Sequence, residues 1–172
     1  MEPPAEVHRR STNPLRSDVL AIWQAGVDAV RPGRLLDRWM HIDGSALRIG
    51  DELIDLDSVR RIVVIGGGKA GAGMAEAVES ILGEAIMTRH RLEGWLNVPG
   101  DCVRPLSRIH LHAGRPAGLN EPTESGVEGT QRMLDMVASL GADDLCLCLI
   151  SGGGSALMPA PVDGVSLAEK QQ

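Results

Sequence analysis

Two apolar runs in this chain end abruptly in glycine: Ile62-Val-Val-Ile-Gly-Gly-Gly-Lys-Ala-Gly71 and Leu145-Cys-Leu-Cys-Leu-Ile-Ser-Gly-Gly-Gly-Ser-Ala156. A buried strand that opens into side-chain-free backbone brings main-chain N–H groups to the carboxyl edge of a sheet, where α/β proteins meet anionic ligands. Two such elbows in one chain call for parallel strands, and parallel strands need long helical returns between them.

The other apolar residues are spaced to supply those returns. After a polar, proline-containing lead over residues 1–16, Ser17 or Asp18 can cap a helix on which Val19, Ile22, Trp23, Val27 and Val30 recur at helical spacing. Arg31-Pro-Gly33 ends it, and Leu35 to Met40 reads as a shorter helix. Ala46 to Ile49 and Leu53 to Leu56 form a hairpin about Gly50-Asp51. Arg61 to Ile65 is the first parallel strand. Ala70 to Leu82 follows as a small-residue helix able to lie close to the sheet, stopped by Gly83. The second strand falls at Glu84 to Met87 or at Gly94 to Val98, and a third at Ser107 to His112. Pro122 and Thr123 open a helix through Leu140 with Val127, Met133, Leu134 and Val137 facing inward. Leu145 to Ile150, apolar throughout, reads as a strand covered on both faces. This β-α-β-α-β order predicts an α/β fold: a doubly wound, Rossmann-like parallel sheet with helices on both faces. Ser166 and Glu169 make a capping-box pattern for a final helix too short to bury much, so a domain truncated at the C-terminus is expected.

Composition narrows the function. Apolar residues make up 43% and charged residues 23% of the 172, an ordinary globular balance. The net charge of −6 opposes the basic surface that nucleic acid or an anionic membrane requires. No apolar stretch reaches the roughly 18 residues of a membrane span, and no basic-then-apolar leader opens the chain. A cytoplasmic protein without nucleic-acid or membrane partners is expected. Cys102, Cys146 and Cys148 match neither a disulfide framework nor zinc spacing and are expected to be buried thiols. With neither Phe nor Tyr, the chain lacks the usual platform for stacking bases.

The elbows carry the chemistry. Gly66, Gly68 and Gly71 satisfy the dinucleotide pattern between strand and helix, and Arg89 and Arg91 farther on would suit a 2′-phosphate, as in an NADP-linked reductase. Walker A is absent, because Ala70 follows Lys69. Lys69, on the elbow itself, can neutralise a carboxylate or a transferring phosphoryl group; a solvated loop lysine is the plain alternative. Ser151 and Ser155 bracket Gly152, Gly153 and Gly154, where hydroxyls and flexible amides can grip phosphate or sugar oxygens, unless glycine serves only the tight turn. Neither serine sits in a nucleophile elbow. His110 and His112 share a strand face with no third metal ligand at a persuasive spacing. Arg115, Asn120 and Glu121 stand in a loop suited to a polar ligand.

Ile65-Gly-Gly-Gly-Lys-Ala70, Leu149-Ile-Ser-Gly-Gly-Gly-Ser-Ala-Leu157 and Pro159-Ala-Pro-Val-Asp-Gly-Val-Ser-Leu-Ala-Glu-Lys-Gln171 together resemble the N-terminal part of the glycerate 2-kinase family, some of whose members carry the label hydroxypyruvate reductase. The resemblance runs from about Leu20 to the last residue. It implies ATP-dependent phosphorylation of D-glycerate to 2-phosphoglycerate, with Mg²⁺ accompanying the nucleotide. It also implies Lys69 as a catalytic residue. Gly66, Gly67, Gly68, Ser151, Gly152, Gly153, Gly154, Ser155 and Arg115 are then expected to bind substrate or nucleotide, and no protein residue is assigned to a metal. Many relatives have A-G-H-P where this chain has Ala113-Gly-Arg-Pro116. Residues 17–172 then form an incomplete N-terminal domain whose cleft needs a C-terminal domain for turnover, and its open sheet edge favours association with another copy. An NADP-linked hydroxypyruvate reductase and a noncatalytic anion-binding module are the alternatives.

Overall fold

The computed structural model describes residues 14–171. Its central sheet is parallel and has the order β6-β5-β4-β7, where β4 is Arg61–Gly67, β5 Glu93–Pro99, β6 Ile109–Arg115 and β7 Asp144–Ile150. Helix α3 (Gly71–Arg89) carries the chain from β4 to β5, and α4 (Glu124–Ala138) carries it back across the sheet from β6 to β7. Right-handed crossovers that wind first one way and then the other must lie on opposite faces, giving the doubly wound architecture. The winding reverses between β4 and β7, the two strands that lead into the glycine runs.

Periodicity of two sorts the strand residues between the faces. Ile62 and Val64 of β4, Leu96 and Val98 of β5 and Leu147 and Leu149 of β7 pack with Ala72, Ala75, Val78 and Leu82 of α3 in one apolar cluster. The small residues of α3 let its axis approach the sheet closely. On the other face, α4 presents Gly126, Gly129, Thr130, Met133 and Met136. Leu134 and Val137, expected inward, are exposed, because the buried stripe follows glycine, which admits the Asn97 side chain and His112.

A small antiparallel sheet precedes the main one. It contains the expected strands β2 (Ala46–Ile49) and β3 (Glu52–Asp55) plus β1 (Met40–Asp43), which follows directly on α2 (Pro32–Trp39). Met40 thus begins a strand and does not end the helix. Helix α1 (Pro14–Ala29) starts earlier than Ser17, with a proline at its first position, and buries none of its residues. Glu84 to Met87 is helical, not a strand: Gly83, at φ 68°, kinks α3 without ending it, and Ile86 and Met87 pack on the core. The second strand is therefore β5. Strand β7 is an edge strand, not one covered on both faces, and leaves Cys148 and Ile150 exposed. Of the other thiols, Cys102 and Cys146 are only half-buried. The capping box forms at α6 (Leu167–Lys170), where Ser166 and Glu169 bond reciprocally.

Two carboxylates join segments distant in sequence. Glu79 of α3, buried, accepts the backbone N–H groups of Ser107 at 2.8 Å, Arg108 at 2.7 Å and Ile109 at 2.9 Å, and so fixes where β6 begins. Asp144, at the head of β7, accepts from Arg60 Nη2 at 2.7 Å and Nε at 2.9 Å, from Arg61 Nε at 3.3 Å and from the Gly141 N–H at 2.9 Å. The two arginines cover its carboxylate at the rim of the sheet, outside the core. Hydrogen bonding by Arg60, then by Gly141, holds its pKa well below the usual carboxylate range.

These anchors yield two expectations. Glu79→Gln should lower the unfolding free energy by about 1–3 kcal/mol in urea titration, since it leaves buried donors facing an uncharged amide. Because the pKa of Asp144 is depressed on folding, its contribution is complete above about pH 4 and is lost as pH falls below that value. Asp144→Asn should therefore flatten the dependence of stability on pH in that acidic range, measured by urea titration at successive pH values.

Candidate functional site

The two elbows meet at the carboxyl edge of the sheet, at its switch point, where ligands of open α/β sheets bind. Their contact is made by backbone. Ser151 donates its N–H to the Gly67 carbonyl at 3.2 Å, Lys69 to the Gly152 carbonyl at 2.9 Å, and the Ser151 hydroxyl accepts the Ala70 N–H at 3.0 Å. Gly68 donates to the Asn97 carbonyl at 3.2 Å. Gly66 (φ 150°) and Gly68 (φ 139°) sit in the left-handed half of backbone space that disfavours side chains. A Cβ on Gly66 would stand 2.0 Å from the Leu149 carbonyl oxygen, and one on Gly68 2.1 Å from Ser151 Oγ. These glycines serve elbow-to-elbow contact.

It follows that the amides of the first elbow from Gly68 to Gly71 are engaged within the protein. The second elbow differs. Among the described residues the N–H groups of Gly152, Gly153, Ser155 and Ala156 have no acceptor, and neither does the exposed Ser155 hydroxyl. Donors available to an anion thus belong to the second glycine run, while the cation comes from the first.

Lys69 is exposed, and its ammonium makes no ion pair or hydrogen bond among the described residues. Its Cε lies 3.4 Å from the position of a Cβ on Gly153, and Nη2 of Arg115 lies 3.4 Å from the same point. Arg115 ends β6 just past a register slip opposite Val98 and Pro99, a bulge of the kind that re-aims a side chain. Lys69 and Arg115 line one cleft of about 250 Å³ with Asp101, Cys102, Gly118 and Asn120. Burial and the neighbouring Asp101 carboxylate raise the Cys102 pKa, keeping its thiol protonated at neutral pH. A wider hollow along Val103 to Leu111 lies on the outer edge of β6, where Arg104 and Arg108 are already paired with Glu76 and Glu84.

Two residues of the site lie outside the sequence motifs. Asn97 is fully buried, donates Nδ2 to the carbonyls of Gly126 at 3.0 Å and Leu157 at 2.7 Å, and offers its own carbonyl to Gly68. It ties β5 to both the first elbow and the segment after the second. A lone Asn in a hydrophobic strand is the signal that would have marked it. Asp101 follows β5, in the position where a dinucleotide fold places its ribose-binding acid, and was hidden by the ambiguity over the second strand. Arg89, by contrast, ends α3 at the opposite edge of the sheet and pairs with Asp57 at 2.6 Å, away from the elbows. The 2′-phosphate reading loses that arginine. His110 and His112 stack against Trp95 with ring centroids 4.1 and 5.2 Å away, and His112 Nε2 bonds to the Ser125 carbonyl at 2.9 Å. Among the described residues no three of His, Cys, Asp and Glu gather as a metal site, and no helix is long and apolar enough to cross a membrane.

A doubly wound parallel sheet whose two glycine elbows meet at its switch point, with the Lys69 and Arg115 side chains beside them, defines a Rossmann-like α/β domain. The chain belongs to the family described as Domain of unknown function (DUF4147), whose model matches its residues 18–172, and it is similar to the N-terminal part of glycerate kinases. It is 34% identical to human glycerate kinase over 176 aligned positions, covering 94% of this chain and 32% of the human protein. Among solved structures, a protein from Pyrococcus horikoshii superposes with a TM-score of 0.73 at 26% identity, over 90% of this chain and 33% of that one. The glycerate kinase of Thermotoga maritima superposes at 0.66 with 28% identity, over 92% and 33%. The chain therefore spans about a third of the length of these relatives.

The elbow contact makes a paired prediction. Gly66→Ala should lower the unfolding free energy by about 3 kcal/mol or more, from steric overlap with fixed backbone and from strained φ. Gly152→Ala, with nothing within 4 Å of the added Cβ, should remain within about 0.5 kcal/mol of the parent in the same urea titration.

Proposed function

We propose that these residues form the phosphoryl-handling part of a glycerate 2-kinase, which transfers the γ-phosphoryl group of ATP to the 2-hydroxyl of D-glycerate. The observation that carries this reading is the Lys69 side chain lying against Gly153, its Cε 3.4 Å from the position of a Cβ there, on the elbow whose Gly152, Gly153, Ser155 and Ala156 amides are unengaged among the described residues. Phosphoryl transfer asks a protein chiefly for positioning and charge neutralisation, and this is a set of donors and one flexible cation without competing partners. In the reaction the glycerate hydroxyl oxygen forms a bond to the γ-phosphorus, the bond from that phosphorus to the bridging oxygen breaks with its electron pair leaving on ADP, and the hydroxyl proton passes to water. Lys69 neutralises charge developing on the transferred group, and the amides of the second elbow with the Ser155 hydroxyl orient phosphate oxygens.

The donor set fits a nucleotide that arrives with its own cation. Mg²⁺ usually keeps several waters and takes few protein carboxylates, and Asp101 is the carboxylate of this cleft that would hold it. When bound, the ion would neutralise phosphate charge. Gly66, Gly67 and Gly68 contribute by docking the elbows. Because the chain spans about a third of its relatives, turnover is assigned to the protein in which residues 17–172 act with the portion those relatives have in addition. The reading assigns that protein to the cytoplasm, a compartment that contains ATP.

The test is ADP release with D-glycerate, ATP and Mg²⁺, from this chain and from the longest product of its reading frame. Activity is expected in the longer product, and Lys69→Ala should lower kcat by about 10²-fold or more, the scale of one lost preorganised charge contact. Oxidation of NADPH by hydroxypyruvate without ADP release would replace the kinase with a reductase.

A further inference from the structure

Arg115 is only 3% exposed, and a buried guanidinium ordinarily lies against a carboxylate. Among the described residues this one has none. Arg60, Arg61, Arg89, Arg104 and Arg108 all do. Nη1 of Arg115 donates to the Leu119 carbonyl and, at 2.8 Å, to Asn120 Oδ1, which uses both of its N–H groups. Among the described residues the opposite edge, where Nε–H and one Nη2–H run parallel, has no acceptor. Nε is buried without a partner, and Nη2 points toward Gly153 and Lys69. Asp101, the carboxylate of the same cleft, contacts Cys102 Sγ at 3.9 Å and not the guanidinium.

An unfilled fork of this kind is costly to keep buried. Two parallel N–H groups match the two oxygens of a planar carboxylate, and a point charge such as lysine cannot reproduce that match. We propose that the free edge of Arg115 receives the carboxylate of the hydroxy-acid acceptor, side-on and bidentate. Lys69 and the amides of the second elbow are thereby left to the transferred phosphoryl group. The identity of the acid rests on the kinase reading, whereas the carboxylate subsite rests on the unfilled edge of Arg115. The acceptor is then selected as an acid: D-glycerate enters and glycerol, which differs in having no carboxylate, does not.

The experiment follows the Arg115 Nε–H resonance by NMR, in this chain and in the longest product of its reading frame, as D-glycerate, glycerol or inorganic phosphate is added. A shift with D-glycerate and none with glycerol is expected. In calorimetry, Arg115→Lys should weaken D-glycerate binding about tenfold or more while changing ATP affinity less than about twofold. A resonance unmoved by D-glycerate in both proteins would overturn the subsite, as would an Arg115→Lys protein that binds D-glycerate as the parent does. A shift with phosphate alone would overturn it too, reassigning the guanidinium to the phosphoryl group. The parent's resonance decides the matter even if the variant fails to fold. If D-glycerate moves the resonance yet no ADP is released, the kinase reading fails and the carboxylate subsite stands.

Discussion

Backbone docking between the two glycine elbows is the contact on which the site depends. Strands β4 and β7 pair along their whole length, from Arg61 opposite Asp144 to Gly67 opposite Ile150, and past the last rung the two loops continue bonding to each other. No side chain could sit between them at Gly66 or Gly68. The consequence is a division of labour. The first elbow uses the amides of Lys69 and Ala70 in holding the second, and the second leaves those of Gly152, Gly153, Ser155 and Ala156 open among the described residues. Asn97 secures the arrangement from the third side, holding Gly68 through its main chain and the backbone after the second elbow through its amide.

Charge is distributed along the same lines. At the amino edge of the sheet and along its outer strand, arginines meet carboxylates: Arg60 and Arg61 cover Asp144, Arg89 meets Asp57, and Arg108 holds the Glu84 carboxyl below its usual pKa. At the carboxyl edge Lys69 and Arg115 stand near each other in the cleft that Asp101 also lines, and among the described residues neither makes an ion pair. In a chain of net charge −6, two neighbouring cations outside any ion pair add nothing to the stability of the fold, and the proposed function draws on that arrangement.

Much of this was legible in the sequence, and the misreadings have physical causes. The elbows, the winding order and the Ser166 capping box follow from local signals: apolar runs, glycine clusters and one side-chain reciprocity. Glycine misled at Gly83, because a single left-handed residue can bend a helix whose flanking turns both pack on a core. Leu145 to Ile150 is apolar enough for an interior strand, yet position in a sheet is a tertiary fact that composition does not encode. The inner face of α4 was misjudged because its contact surface is built from Gly126 and Gly129, which a search for large apolar residues passes over. Arg115 was visible as a residue but not as an unfilled fork, since its partners at Leu119 and Asn120 and its empty edge exist only once the loop is folded.

The pairing of β4 with β7 also governs the order in which the site can appear during synthesis. Strand β4 and its elbow emerge from the ribosome well before β7, which pairs with them across 83 residues from Arg61 to Asp144. Until that later segment is released, one side of β4 and the amides of Lys69 and Ala70 have only water as partners. Domains generally mature as units during translation, N-terminal parts first. Here the first elbow must wait for the second, and a ribosome stalled before Ser151 would hold a nascent sheet whose first elbow has no partner.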